Sequence, residues 1–184
     1  MNLLINIAAF KLGWISSVVG GAQQIPWLGP LVVFVAVALH LSRAPRPSSE
    51  FMLILGCGLI GAVFDSALVA AGLVTFPSGM FSDIMAPYWI VTMWMLFGTT
   101  INRSMRWMRG RPLLASAFGF VGGPLAYLAG HKIGGIQFVD QPAALAMLAI
   151  GWAVMMPLLM QLGERLDGVS PGPAHGDVIG QRIS

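Results

Sequence analysis

Asp65 lies well inside an apolar stretch, and a carboxylate in such surroundings costs several kcal/mol unless it is paired, protonated or wetted. Such an acid can handle a proton or cation, orient a polar substrate group, or simply hydrogen-bond a neighbouring helix. On a helical wheel Gly58, Gly61, Asp65 and Gly72 share one face, which places the acid where helices approach closely rather than toward lipid. Lys11 is the obvious candidate partner. It lies about 13 Å along its own run against about 22 Å for Asp65, at about 1.5 Å per residue, so snorkelling toward the near interface is favoured over a direct pair. The same run aligns Asn2, Asn6, Gly13, Ser17, Gly20 and Gln24 in a stripe that leaves Lys11 aside. A second line passes through Tyr88, Thr92, Thr99 and Arg103 to Arg106, with Asn102 beside it. Asp65, Lys11, Asn6, Thr99, Asn102 and Arg103 therefore form the candidate intramembrane polar site. A polar groove between the two runs is one reading of it. Threonines bonded back to their own helix, with arginines meeting lipid phosphates, is the other.

Other chemistry lacks its residues. The chain has no phosphate-binding G-x-x-x-x-G-K-[ST], no H-E-x-x-H, no G-x-S-x-G and no C-x-x-C, and its one cysteine, Cys57, sits in an apolar run as an inert thiol. His40 and His131 fall at opposite membrane faces and His175 in the C-terminal stretch, so no metal site is expected. No cofactor and no catalytic residue is assigned.

The elements that must position these residues are membrane spans. Hydrophobic residues make up 57% of the 184 and charged residues 9%, too few charges for a water-facing surface. Six apolar runs, at about 3–22, 26–41, 51–73, 86–101, 112–130 and 142–162, are bounded by Gly, Pro or charge, and the sequence predicts an all-α, six-helix transmembrane bundle over 1–166. Pairing of consecutive runs would give three helical hairpins. No signal-peptide pattern precedes the first run, which is therefore read as a retained helix. Gly119 and Gly123 make a close-packing G-x-x-x-G, Gly58 and Gly61 are the helix-packing glycines of the third run, and Pro124 should kink the fifth.

Arginines set the orientation. Arg43, Arg46, Arg103, Arg106, Arg109, Arg111 and Arg165 fall in alternate gaps, while the opposite gaps, Gln23–Gln24, Thr75–Met85 and His131–Gln141, hold only Lys132. By the positive-inside rule both termini are cytoplasmic. Arg43, Arg46, Arg106, Arg109 and Arg111 form a rim suited to anionic phospholipid headgroups. The net charge of +3 comes from these run-end cations, not from a basic soluble face interleaved with aromatics, so nucleic acid is not an expected partner. Residues 167–184, rich in Pro and Gly, read as a mobile cytoplasmic tail.

KLGW at Lys11–Trp14, IPWLGPLVV at Ile25–Val33, FDS around Asp65, TTINRSMRW at Thr99–Trp107, RGRP at Arg109–Pro112 and GGPLAY at Gly122–Tyr127 together resemble a bacterial membrane family, the uncharacterised domain-of-unknown-function 2878 family. The resemblance spans nearly the whole chain except the tail and implies a small multi-pass inner-membrane protein. It also points toward envelope lipid metabolism, because relatives are similar to proteins encoded beside lipid-modifying methyltransferases. That family often carries histidine where this chain has Arg103, so a role needing an imidazole there does not transfer. No catalytic residue carries over.

Three functions follow as expectations. The first is an accessory protein that binds lipid, or a membrane-protein partner, in envelope lipid metabolism. The second is a small proton-coupled transporter using Asp65. The third is an intramembrane lipid-modifying enzyme, which requires Asp65, Asn102 and Arg103 to converge on one headgroup.

Overall fold

The computed structural model describes residues 2–170, and it is helical. Six helices follow one another: α1 (Leu3–Ala22), α2 (Leu28–Leu41), α3 (Pro47–Ala70), α4 (Tyr88–Ile101), α5 (Pro112–Ile133) and α6 (Gln141–Arg165). A single 3-10 turn, Arg106–Met108, interrupts the α4–α5 link. One feature lies outside the all-helical expectation: β1 (Val74–Thr75) pairs antiparallel with β2 (Gln137–Phe138), Val74 opposite Phe138, and ties the α3–α4 link to the α5–α6 link.

Local chemistry explains where the helices begin and end. Asn2 caps α1 by accepting the Ile5 amide at 2.9 Å, and Asp140 caps α6 by accepting that of Ala143 at 3.1 Å. Pro47 and Pro112 open α3 and α5, where the missing N–H costs nothing. The third helix thus starts a turn before its apolar run, because Ser48, Ser49 and Glu50 are polar yet helical. The fifth runs on through His131 and Lys132, which the sequence placed in a loop, and stops at Gly134 in the left-handed region at φ 95°. It is assigned as continuous helix through Pro124.

α1, α3, α5 and α6 are each long and apolar enough to cross a membrane. α2 and α4, at 14 residues, rise only about 21 Å, less than the roughly 30 Å of a hydrocarbon core. Consecutive helices pack as hairpins, α1 with α2, α3 with α4 and α5 with α6, and α4 stands between α1, α2 and α3. The outward faces are apolar, with Leu113 85%, Leu4 76% and Phe34 72% exposed, whereas Asn6, Ser17 and Asp65 are fully buried. This distribution is consistent with a membrane protein, because hydrocarbon does not drive apolar side chains inward and interhelical polar contacts sit inside.

Glycines determine how closely the helices approach. A Cβ on Gly61 would lie 1.9 Å from Cγ of Trp94, one on Gly58 2.7 Å from Cγ of Met95, one on Gly119 2.2 Å from the Trp152 carbonyl and one on Gly123 2.3 Å from Cγ of Trp152. Gly72, expected on the Asp65 face, instead lies past the end of α3 at φ 68°, in open space. Gly61→Ala should therefore overpack the Trp94 seat and cost about 1–3 kcal/mol. Gly122→Ala, with no heavy atom nearer than 3.8 Å, should be neutral or stabilising by up to about 1 kcal/mol. Thermal unfolding of the purified protein in detergent checks both, and equal melting temperatures for the two variants would contradict this packing.

Candidate functional site

Three polar or open features lie inside the bundle, and the first is a buried carboxylate. Asp65 on α3 is fully enclosed. Its Oδ2 accepts a hydrogen bond from Nε1 of Trp94 on α4 at 2.6 Å, and its Oδ1 accepts one from the hydroxyl of Tyr127 on α5. The sequence supports this at i, i+4 spacing on two helices. Gly61 clears space for the Trp94 ring one turn from Asp65, and Gly123 clears space for Trp152 one turn from Tyr127. Trp94 and Trp152 then stack, with ring centroids 4.6 Å apart and planes inclined by 14°. Trp94 and Tyr127 were not foreseen as partners, because a sequence counts their rings as apolar and their N–H and O–H donors go unnoticed.

The remaining members of the expected polar site are dispersed. Lys11 is exposed, and the Lys11–Asp65 pair does not form. Asn6 and Thr99 do meet, Nδ2 of Asn6 donating to the Thr99 carbonyl at 3.1 Å, but in a closed, buried contact rather than a groove. Thr92, Thr99 and Thr100 donate their hydroxyls back to their own helix. Arg103 is partly buried, and its Nε has no hydrogen-bond partner among the described residues.

The second feature is a network at the end of the bundle where the arginines gather. Glu50, fully buried, accepts from Nε2 of His40 at 2.6 Å, Nδ2 of Asn102 at 2.8 Å and the Gly168 amide at 2.9 Å. Oδ1 of Asn102 accepts from Arg109 at 2.7 Å, and Arg109 reaches Asp167 at 2.8 Å. Arg106 lies 3.5 Å from Asp167 and donates to Ser170 at 2.7 Å, while Arg46 donates to the Asp167 carbonyl. The segment expected to be mobile from Asp167 onward is therefore docked through Ser170, and 171–184 lie outside the described residues.

This arrangement revises two further expectations. Asp65 and Glu50 are fifteen residues apart on one helix, about 22 Å, so Asn102, bonded to Glu50, does not converge with Asp65 on a common point. The geometry proposed for the enzyme reading is absent. Within the arginine rim, Arg46, Arg106 and Arg109 hold the chain's own residues, whereas the side chains of Arg43 and Arg111 make no such contact among the described residues. Glu50 and His40 carry a sequence signal of their own: a histidine ending one apolar run and an acid opening the next, across a five-residue link, lie at the same end of the bundle. No group of three or more His, Cys, Asp or Glu side chains fit to hold a metal occurs among the described residues.

The third feature is a crevice. A cavity of about 210 Å³ lies between α1, α4, α5 and α6, backed by the Trp94–Trp152 stack, faced by Phe10 and Trp14 of α1, and bordered on α5 by small residues, Gly122 and Ala126 among them. It is almost wholly apolar. Trp94 and Tyr127 line it while Asp65 behind them does not, so the two donors turn their polar atoms to the acid and their rings to the cavity. A second cavity of about 230 Å³ shares Phe10, Met105 and Phe118 with it and adds Lys11, Thr100 and Ser104. The two adjoin at the three shared side chains and are together called the furrow, apolar in depth and carrying Lys11, Thr100 and Ser104 toward the arginine end.

An all-helical bundle with apolar outward faces, a sealed carboxylate and an apolar furrow defines a class of helical protein consistent with a membrane setting. Within that class the chain belongs to the family described as protein of unknown function, DUF2878, whose model matches residues 3–158. No curated protein and no solved structure matches it.

The docked segment carries a pH dependence. Burial alone would raise the Asp167 carboxyl, but the Arg109 guanidinium, the amide and hydroxyl of Ser170 and the Val169 amide outweigh it and hold the group well below the usual carboxylate range. Because the folded value is depressed, its stabilisation is present above the ordinary aspartate value of about 3.9 and is lost as pH falls through the folded value. Hydrogen exchange should show the Val169 and Ser170 amides, which bond Oδ1 of Asp167, protected near neutrality and released in acid. In Asp167→Asn their protection near pH 7 should drop about tenfold, the size of a lost charge-assisted bond. Unchanged protection in that variant would contradict the turn that Asp167 organises beside Arg109.

Proposed function

We propose that this chain is a six-span bacterial inner-membrane protein with both termini in the cytoplasm, and that it serves envelope lipid metabolism as an accessory that holds a lipid chain in its apolar furrow. The single observation carrying the functional reading is that furrow. Protein interiors pack to crystal-like density, so a large aromatic-walled void opening beside α1 and α5 needs an occupant, and the surrounding medium supplies hydrocarbon. From Ile7 to Val18 the α1 wall covers twelve residues, a rise of about 16 Å, close to half of the roughly 30 Å hydrocarbon core. One acyl chain of one leaflet fits that length.

Six spans rather than four are supported by the company the short helices keep. α4 is enclosed by α1, α2 and α3, so irregular backbone at its ends can lie at membrane depth while shielded by protein. The Asn6–Thr99 bond and the Glu50–Gly168 bond bring the start of α1 and the segment after α6 to the same end of the bundle, as an even number of crossings requires. That end carries the arginines, which makes it cytoplasmic under the positive-inside rule.

An accessory role is favoured because the internal polar clusters bond one another: both oxygens of Asp65 and the carboxylate of Glu50 are taken up by protein donors. Gly122→Leu tests the reading, since Gly122 lines the furrow and a Cβ there meets only the Phe118 ring, at 3.8 Å. Native mass spectrometry after stepwise delipidation should find one retained lipid on the wild type and at least about tenfold less on this variant, at unchanged melting temperature. The exchange corresponds to the loss of about 1.4 kcal/mol or more of chain burial. Equal retention by both proteins, or none by either, would contradict it.

A further inference from the structure

We infer that the polar mouth of the furrow, built by Lys11 and Ser104, is a headgroup seat that selects an anionic phospholipid, its phosphate on the Lys11 ammonium and the Ser104 hydroxyl and one acyl chain in the apolar depth. The inference rests on the chain-holding reading of the furrow and adds the class of lipid. Lys11 is a cation in an otherwise apolar helix, exposed, with no carboxylate within 4.0 Å among the described residues. A helical side chain leans toward its own N-terminus, so the lysine stem, eight residues into α1, carries its ammonium toward the mouth rather than deeper. Ser104, in the link after α4, lines the same cavity and makes no hydrogen bond among the described residues, leaving its hydroxyl available as a donor. Thr100 beside it donates to the Phe97 carbonyl and is not available in that way.

Among the described residues no acid lines this mouth, and the one formal charge there is the positive one of Lys11. A compact ammonium with a hydroxyl beside it suits a phosphate oxygen, which the ammonium meets as a point charge. Three of the rim arginines are engaged elsewhere, since Arg46, Arg106 and Arg109 hold Asp167 and Ser170, and no arginine lines this cavity among the described residues. Phe10, Met105 and Phe118 belong to both cavities, so a phosphate at Lys11 and a chain against Trp14 and Trp152 would occupy adjoining spaces that meet at these three side chains. A zwitterionic lipid would place its own cation beside Lys11 and lose the advantage.

The test uses the full chain, delipidated in detergent and offered equal amounts of phosphatidylglycerol and phosphatidylcholine of identical chains, with bound lipid read by native mass spectrometry. The wild type should retain phosphatidylglycerol over phosphatidylcholine by about fivefold, the contribution of one basic side chain near an anionic surface. Lys11→Met should still hold one lipid but without preference, Lys11→Arg should restore the preference, and Ser104→Ala should weaken it. Retention without any preference in the wild type, or a preference that survives Lys11→Met and disappears instead in Arg43→Gln or Arg111→Gln, overturns the headgroup seat while leaving the chain site standing. Absence of a retained lipid in every protein overturns both.

Discussion

The carboxylate of Asp65 is the constraint around which the bundle is organised. A buried acid needs donors, and the two it has, the Trp94 indole and the Tyr127 hydroxyl, come from two different helices. Meeting that need locks α3, α4 and α5 at one level. It also fixes the Trp94 ring in the Gly61 hollow, from which it stacks on Trp152 and so brings α6 into register. The aromatic floor of the furrow is thus a by-product of satisfying one charge-bearing group. Removing the acid's partners would leave an uncompensated polar group in an apolar interior, the most destabilising kind of change available to such a fold.

A second polar cluster governs the opposite requirement, closure of one end. Glu50 gathers His40, Asn102 and the Gly168 amide, and through Asn102 and Arg109 it reaches Asp167. Four separate chain segments are joined there: the end of α2, the start of α3, the α4–α5 link and the residues following α6. At the other end the β1–β2 ladder performs a similar service with backbone bonds alone. With both ends tied, α1 and α5 stand apart along part of their length, the link after α5 meeting α1 where Gly135 backs onto Val18, and the furrow survives between them.

Much of this was readable in the residues, and the parts that were not have physical causes. Apolar runs locate helices directly, so α1 and α2 end where the sequence ends them, at Ala22 and Leu41. The same rule misplaced the start of α3, because Ser48, Ser49 and Glu50 end an apolar run without ending the helix. Periodicity marked the Gly58, Gly61 and Asp65 face but could not say which side chains would enter it, since indole and phenol donors are carried on rings that register as apolar. The grouping of Asp65 with Asn102 and Arg103 failed for a different reason: residues on different helices share a depth only if their helices start level, and linear spacing does not supply that offset. The furrow was beyond sequence reasoning altogether, because a void depends on how far two helices part.

A chain-holding furrow between α1 and α5 is the central claim, and contact mapping addresses it most directly. Phospholipid carrying a photoactivatable group near its acyl terminus, crosslinked to the protein in vesicles and mapped by peptide mass spectrometry, should place adducts chiefly at Trp14 on α1 and around Gly122 and Ala126 on α5. Labelling spread evenly over the outward faces, at Phe34, Leu59 and Leu113 as much as in the furrow, would show that lipid only bathes the exterior and would contradict the account.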